Sequence, residues 1–113
     1  MLDVSEQKKE DVLVVSLNGK LDAVTSPTLL ERLTASVDGG AHRLVLDCSR
    51  LEYISSAGLR VVLMVSQRLN QLGGRLGLAS LSSQIRRIFD MAGFTTILAA
   101  YESSEKAVEA MRK

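Results

Sequence analysis

The sequence predicts an α/β domain built on a mixed, mostly parallel β-sheet of about five strands with about four α-helices, on three observations. Short apolar runs of strand length alternate with segments in which apolar residues recur at helical spacing. The links between them are short, which favours parallel strands joined by right-handed crossover helices. One run, Leu44-Val45-Leu46, shows no polar alternation, as expected of a strand covered on both faces. At 113 residues the chain supports a single domain, residues 1–113, with one two-layer core.

From Met1 to Gln7, Leu2 and Val4 alternate with polar residues in an edge-strand pattern, and Lys8-Lys9-Glu10-Asp11 reads as a polar turn. Val12-Leu13-Val14-Val15-Ser16-Leu17 is a β-branched run that stops at Asn18-Gly19. Gly19 to Ser26 reads as a connecting loop. Its one acidic residue, Asp22, is either a turn or capping carboxylate or a partner contact. Ser26-Pro27 signals a helix start, because proline suits the first helical position, where no N–H bond is needed. Leu29, Leu30, Leu33 and Val37 then recur on one helical face until Asp38-Gly39-Gly40.

The third strand is expected to end at Asp47, followed by a short polar connection and a helix that begins at Ser55-Ser56. Leu59, Val62, Leu63, Ser66 and Leu69 mark its apolar face and Gly73-Gly74 its end; Gly58 in its first turn marks close approach to the sheet. Leu76 to Ala79 is a fourth strand. A helix starting at Ser82 or Ser83 turns Ile85, Ile88, Phe89 and Ala92 inward and Arg86 and Arg87 outward, with Gly93 at its stop. Phe94 to Ala100 reads as a last strand, and Ser103 to Met111 as a last helix with Ala107, Val108 and Met111 apolar.

Composition narrows the function. Fourteen Lys and Arg balance 13 Asp and Glu, so no global field favours nucleic acid or an anionic membrane. No 18-residue apolar run and no signal-like N-terminus is present, and a cytoplasmic location is expected. Cys48 is the only cysteine and His42 the only histidine, too few for a zinc site; Cys48 reads as a small buried hydrophobe and His42 as a loop residue. Neither a phosphate-cradling glycine loop with its lysine nor a dinucleotide fingerprint appears, and Ile54-Ser55-Ser56-Ala57-Gly58 lacks the first glycine of a nucleophile elbow. No catalytic residue, metal or cofactor is assigned.

What remains is a pair of hydroxyls at a strand-to-helix junction. The first turn of a helix has unpaired N–H groups and the positive end of the macrodipole, so a serine there caps the helix or holds an anion. A phosphate at Ser55 or Ser56 adds roughly −1.5 to −2 charges to a neutral surface, enough to create or abolish a protein contact.

The segment from Leu46 to Leu59, Leu-Asp-Cys-Ser-Arg-Leu-Glu-Tyr-Ile-Ser-Ser-Ala-Gly-Leu, resembles the signature of STAS domains, specifically of bacterial anti-sigma factor antagonists. The likeness extends to Leu17-Asn18-Gly19-Lys20-Leu21-Asp22 with Thr25, and to Ile88 through Phe94. The resemblance implies a STAS-like fold and a regulatory partner switch. Such a protein binds an anti-sigma factor that is also a serine kinase of the histidine-kinase-like ATPase class, and so frees a sigma factor. Serine phosphorylation at the helix start breaks that complex, and a serine phosphatase restores it.

Carried onto this chain, the acceptor is Ser56, with Ser55 as the alternative because it replaces the aspartate that usually precedes the acceptor. Ala57 takes a small-residue position. The implied partner surface comprises Asp22, Thr25, Ser55, Ser56, Ala57, Gly58 and Arg60. Arg60, four residues after Ser56, is on the same helical face and either pairs with a phosphate there or is a solvated helix residue. The competing readings are a STAS scaffold subunit of a larger signalling or transport assembly, in which the serines only cap the helix, and a small-nucleotide-binding domain resting on the β–α architecture alone.

Overall fold

The computed structural model describes residues 1–112. Its elements are β1 (Leu2–Lys9), β2 (Val12–Leu21), α1 (Ser26–Asp38), β3 (Arg43–Ile54), α2 (Ser56–Gln71), β4 (Arg75–Ala79), α3 (Ser83–Met91), β5 (Ala99–Tyr101) and α4 (Ser104–Met111). A 3-10 turn at Phe94–Thr96 joins α3 to β5. The strands lie side by side in chain order, β1 antiparallel to β2 and every later neighbour parallel. The predicted class, a mostly parallel five-stranded sheet with four helices, is the one observed.

Two apolar layers hold it together. On one face Leu29, Leu33 and Val37 of α1, Val61, Val62, Val65 and Leu69 of α2, and Ile85 and Phe89 of α3 pack on Val15, Leu17, Leu44 and Leu46 of the sheet. On the other, α4 lays Ala107, Val108 and Met111 over Val12, Val14, Val45 and Ala79. Successive residues of β3 therefore enter opposite cores, which explains why Leu44-Val45-Leu46 shows no polar alternation. Burying a side chain such as Leu46 contributes about 2 kcal/mol relative to leaving it in water.

Four local expectations are corrected. The second and third strands do not stop at Leu17 and Asp47 but run on to Leu21 and Ile54. Ser16 pairs with Asp47 but Asn18 with Arg50, and Gly19 pairs with Leu51 but Lys20 with Tyr53, so β3 inserts an extra residue against β2 twice. These bulges break the period of two, leaving Cys48, Leu51 and Ile54 buried between exposed Ser49, Arg50, Glu52 and Tyr53, a spacing that looks like a polar connection. The last strand is only Ala99–Tyr101, because Gly93 at φ 80° turns the chain into the 3-10 segment, where Phe94 stacks obliquely on Phe89 at 5.7 Å between ring centroids. Ala92 faces solvent, being already at the end of α3. On α2, Val61 and Val65 are buried, whereas Leu59 and Leu63 are only half-buried.

Cys48 is buried, as expected, and lies within β3. Burial, with the Asp47 charge adding to it, pushes its thiol up to about 12, so no thiolate forms at neutral pH. The outer edge of the sheet is also guarded. Arg32 of α1 reaches across β1, donating from Nε to Glu6 at 2.8 Å and from Nη1 to the Val4 carbonyl at 3.2 Å. No helix among the described residues is long and apolar enough to cross a membrane.

Candidate functional site

The long strands β2 and β3 end together, with Leu21 paired to Ile54, and both chains turn into helices from that point. The Ser55 N–H donates to the Leu21 carbonyl at 2.9 Å, tying the start of α2 to the end of β2. Gly58 lies over this junction. A Cβ there would stand 2.8 Å from Leu21 Cγ, 2.9 Å from Ile54 Cγ1 and 3.0 Å from the Leu21 carbonyl oxygen. Only a residue without a side chain lets the helix approach so closely, as its place in the sequence predicts.

The two serines divide the work. Ser55 has extended backbone, φ −93° and ψ 175°, and its Oγ accepts the Gly58 N–H at 3.3 Å, so it is the N-cap of α2. Ser56 is the first helical residue and is exposed. Ala57 is half-buried beside it, and Arg60 is exposed one turn on, outside every ion pair formed among the described residues. No ion pair among the described residues restrains this turn, and a group added to Ser56 would enter solvent without displacing a cap.

Asp22 serves as a turn carboxylate. Its Oδ1 accepts the N–H groups of Val24 and Thr25, each at 3.0 Å. Thr25 returns the contact: its Oγ1 accepts the Asp22 N–H at 3.0 Å and donates to the Lys20 carbonyl at 2.9 Å. These bonds, the Thr25 N–H first, hold the Asp22 carboxyl below the usual carboxylate range. A depressed folded-state pKa stabilises the protein above about pH 4 and is lost as pH falls through the lower folded value. Asp22→Asn should therefore flatten the acid limb of a urea-denaturation stability profile below about pH 4; an unchanged acid limb would mean that the turn adds nothing.

The predicted site residues fall into two neighbouring groups. Ser56, Ala57 and Arg60 border a groove between α1 and α2 of about 440 Å³, shared with Ala23, Pro27, Leu30, Val61 and Met64. Asp22 and Thr25 border a separate depression of about 760 Å³ beside β1, with Met1, Leu2 and Arg32. Ser55 and Gly58 form the base between the helix and the strand ends. Sequence reasoning missed Leu30 and Met64 as groove residues, the first because it sits among the core leucines of α1. Met64 is an apolar residue off the apolar face of α2, the signal the sequence offered for it, and it is 44% exposed.

The profile of the STAS domain matches residues 3–107. The chain belongs to the STAS domain family. Among STAS relatives, BtrV of Bordetella bronchiseptica, a protein that carries the name of an anti-sigma factor antagonist, is 39% identical over 111 residues, covering 98% of this chain and 96% of its own. The anti-sigma-B factor antagonist of Bacillus subtilis is 29% identical over 108 residues, covering 96% and 98%. The crystal structure of an anti-sigma factor antagonist from Mycobacterium paratuberculosis superposes with a TM-score of 0.91 at 26% identity, covering all of this chain and 96% of that one. The STAS fold expected from the Leu46–Leu59 signature is thus the one the chain adopts.

Proposed function

We propose that this STAS protein is an anti-sigma factor antagonist that docks on an anti-sigma factor with serine kinase activity, releases the sigma factor, and is switched off by phosphorylation of Ser56. One observation carries the reading. Ser55 is occupied as the cap of α2, which leaves Ser56 as the exposed hydroxyl at the start of a helix that stands beside an apolar groove. The names of the relatives support the antagonist role, and the missing aspartate before Ser56 is accommodated because Ser55 supplies the cap.

A kinase that approaches the end of α2 meets the Ser56 hydroxyl without having to open the fold. The phosphate so formed sits at the positive end of α2, where a negative charge contributes about 0.3–1 kcal/mol of helix stability. The domain keeps its shape while its surface gains charge, and a phosphatase reaching the same exposed turn restores the binding form.

The test is phosphosite mapping by mass spectrometry on protein from native cells with and without the cognate kinase gene. Kinase-dependent phosphate on Ser56 is the expected result. Phosphate on Ser55 alone would move the site, and its absence from both serines under every growth condition would favour the scaffold reading.

A further inference from the structure

We infer that Arg60 is the positioning residue for a phosphate on Ser56: its guanidinium, one turn along α2, binds the phosphate and draws it back along the helix instead of leaving it free in water. The inference rests on the proposed function and adds how the modified turn is held. Ser56 and Arg60 are both exposed and border the same groove. They are four residues apart, the spacing at which helical side chains meet.

Nothing else in the turn competes for either group. Arg60 is the one charged residue lining the groove, and it makes no ion pair among the described residues. Two N–H donors of the first turn are already taken by Ser55, that of Gly58 by its Oγ and that of Leu59 by its carbonyl oxygen. Asp22, the acidic residue of the adjoining loop, borders the separate depression beside β1 and holds its carboxylate on the Val24 and Thr25 N–H groups. An arginine presents a planar fork of N–H donors, and a phosphate presents three acceptor oxygens that the fork can meet in pairs.

The pairing has three consequences. A neighbouring cation favours the doubly charged phosphate, so the second ionisation falls to lower pH. One positive charge offsets part of the roughly 1.5–2 negative charges that modification adds, so the modified surface is less anionic than a solvated phosphoserine would make it. The bridge also spans the first turn of α2, a contact the unmodified chain lacks.

The test uses the full chain with phosphoserine installed at position 56 during translation, which needs no kinase, alone and combined with Arg60→Gln, Arg60→Lys or Arg87→Gln. Arg87 is exposed on α3 and outside the groove, so its loss removes the same charge without the contact. Phosphorus NMR titration in about 50 mM salt is expected to give a second phosphate pKa roughly 0.3–0.5 lower in the parent than with Arg60→Gln. Arg60→Lys should fall between, having the charge without the fork, and Arg87→Gln should match the parent within about 0.1. In thermal melting at about pH 7.5, phosphoserine should raise the melting temperature about 2 °C more in the parent than with Arg60→Gln, each measured against its unmodified form. A phosphate pKa that is the same with and without Arg60, or that Arg87→Gln raises as far as Arg60→Gln does, would overturn the pairing. That failure is separate from the failure of the proposed function, which is read by the absence of Ser56 phosphate from native cells.

Discussion

Ser56→Asp is expected to bind the anti-sigma factor roughly 30- to 4000-fold more weakly than wild type, with no fall in melting temperature. The range follows from the about 2–5 kcal/mol that an unpaired charge costs at a buried protein interface. Stability should hold because the new carboxylate sits at the positive end of α2, where it contributes about 0.3–1 kcal/mol. Ser56→Ala should bind like unphosphorylated wild type and resist inactivation by kinase and ATP, since Ser55 remains as the cap. Calorimetry and thermal melting on the same samples separate two mechanisms. Lost binding with intact melting is electrostatic exclusion; lost binding with a melting temperature several degrees lower would mean that charge at this turn acts by loosening the fold. Undiminished binding by Ser56→Asp would remove Ser56 from the interface.

Gly58→Val is expected to destabilise the protein by about 2–3 kcal/mol, or roughly 10 °C in melting temperature for a chain of this size. Replacing a helical glycine recovers a few tenths of a kcal/mol in backbone propensity. Overpacking dominates, because the first added carbon already meets Leu21 and Ile54 inside 3 Å and the two methyls have nowhere to go. Leu21→Ala alone should cost about 2–5 kcal/mol, as Leu21 is fully buried. The double variant should fall short of the summed losses by about 1 kcal/mol or more, since the cavity left by Leu21 receives the valine methyls. Strict additivity in urea titrations would show that Gly58 and Leu21 do not share this space. The same wedge would swing the end of α2 away from the 22–25 loop, so Gly58→Val should also weaken partner binding even where it remains folded.

How much of this was legible in the sequence depended on whether local pattern or neighbouring strands controlled each segment. Helices were readable because Leu29, Leu33 and Val37, or Ile85 and Phe89, repeat at 3.6-residue spacing beside serine or proline start signals. Gly58 was readable because a glycine inside a helical pattern is unfavourable unless something approaches it. The ends of β2 and β3 were not, because two bulges convert the buried positions from every second residue to every third, and no local rule places a bulge. The division of labour between Ser55 and Ser56 was not readable either. Both are good cap residues, and the choice is made by the Leu21 carbonyl, which fixes the Ser55 backbone as the last extended residue. The sequence therefore located the candidate turn, while the groove beside it required the packing of α1 against α2, which brings Leu30 and Met64 to its lining.

An open sheet edge is a hazard for any soluble chain, since every copy offers a template for strand addition to the next. The Arg32 bonds to Glu6 and to the Val4 carbonyl fill an outward-facing acceptor on β1 with a donor from the chain's own helix. What reads locally as a solvent-exposed ion pair, worth little in stability, also takes up a place on the edge that an added strand would need.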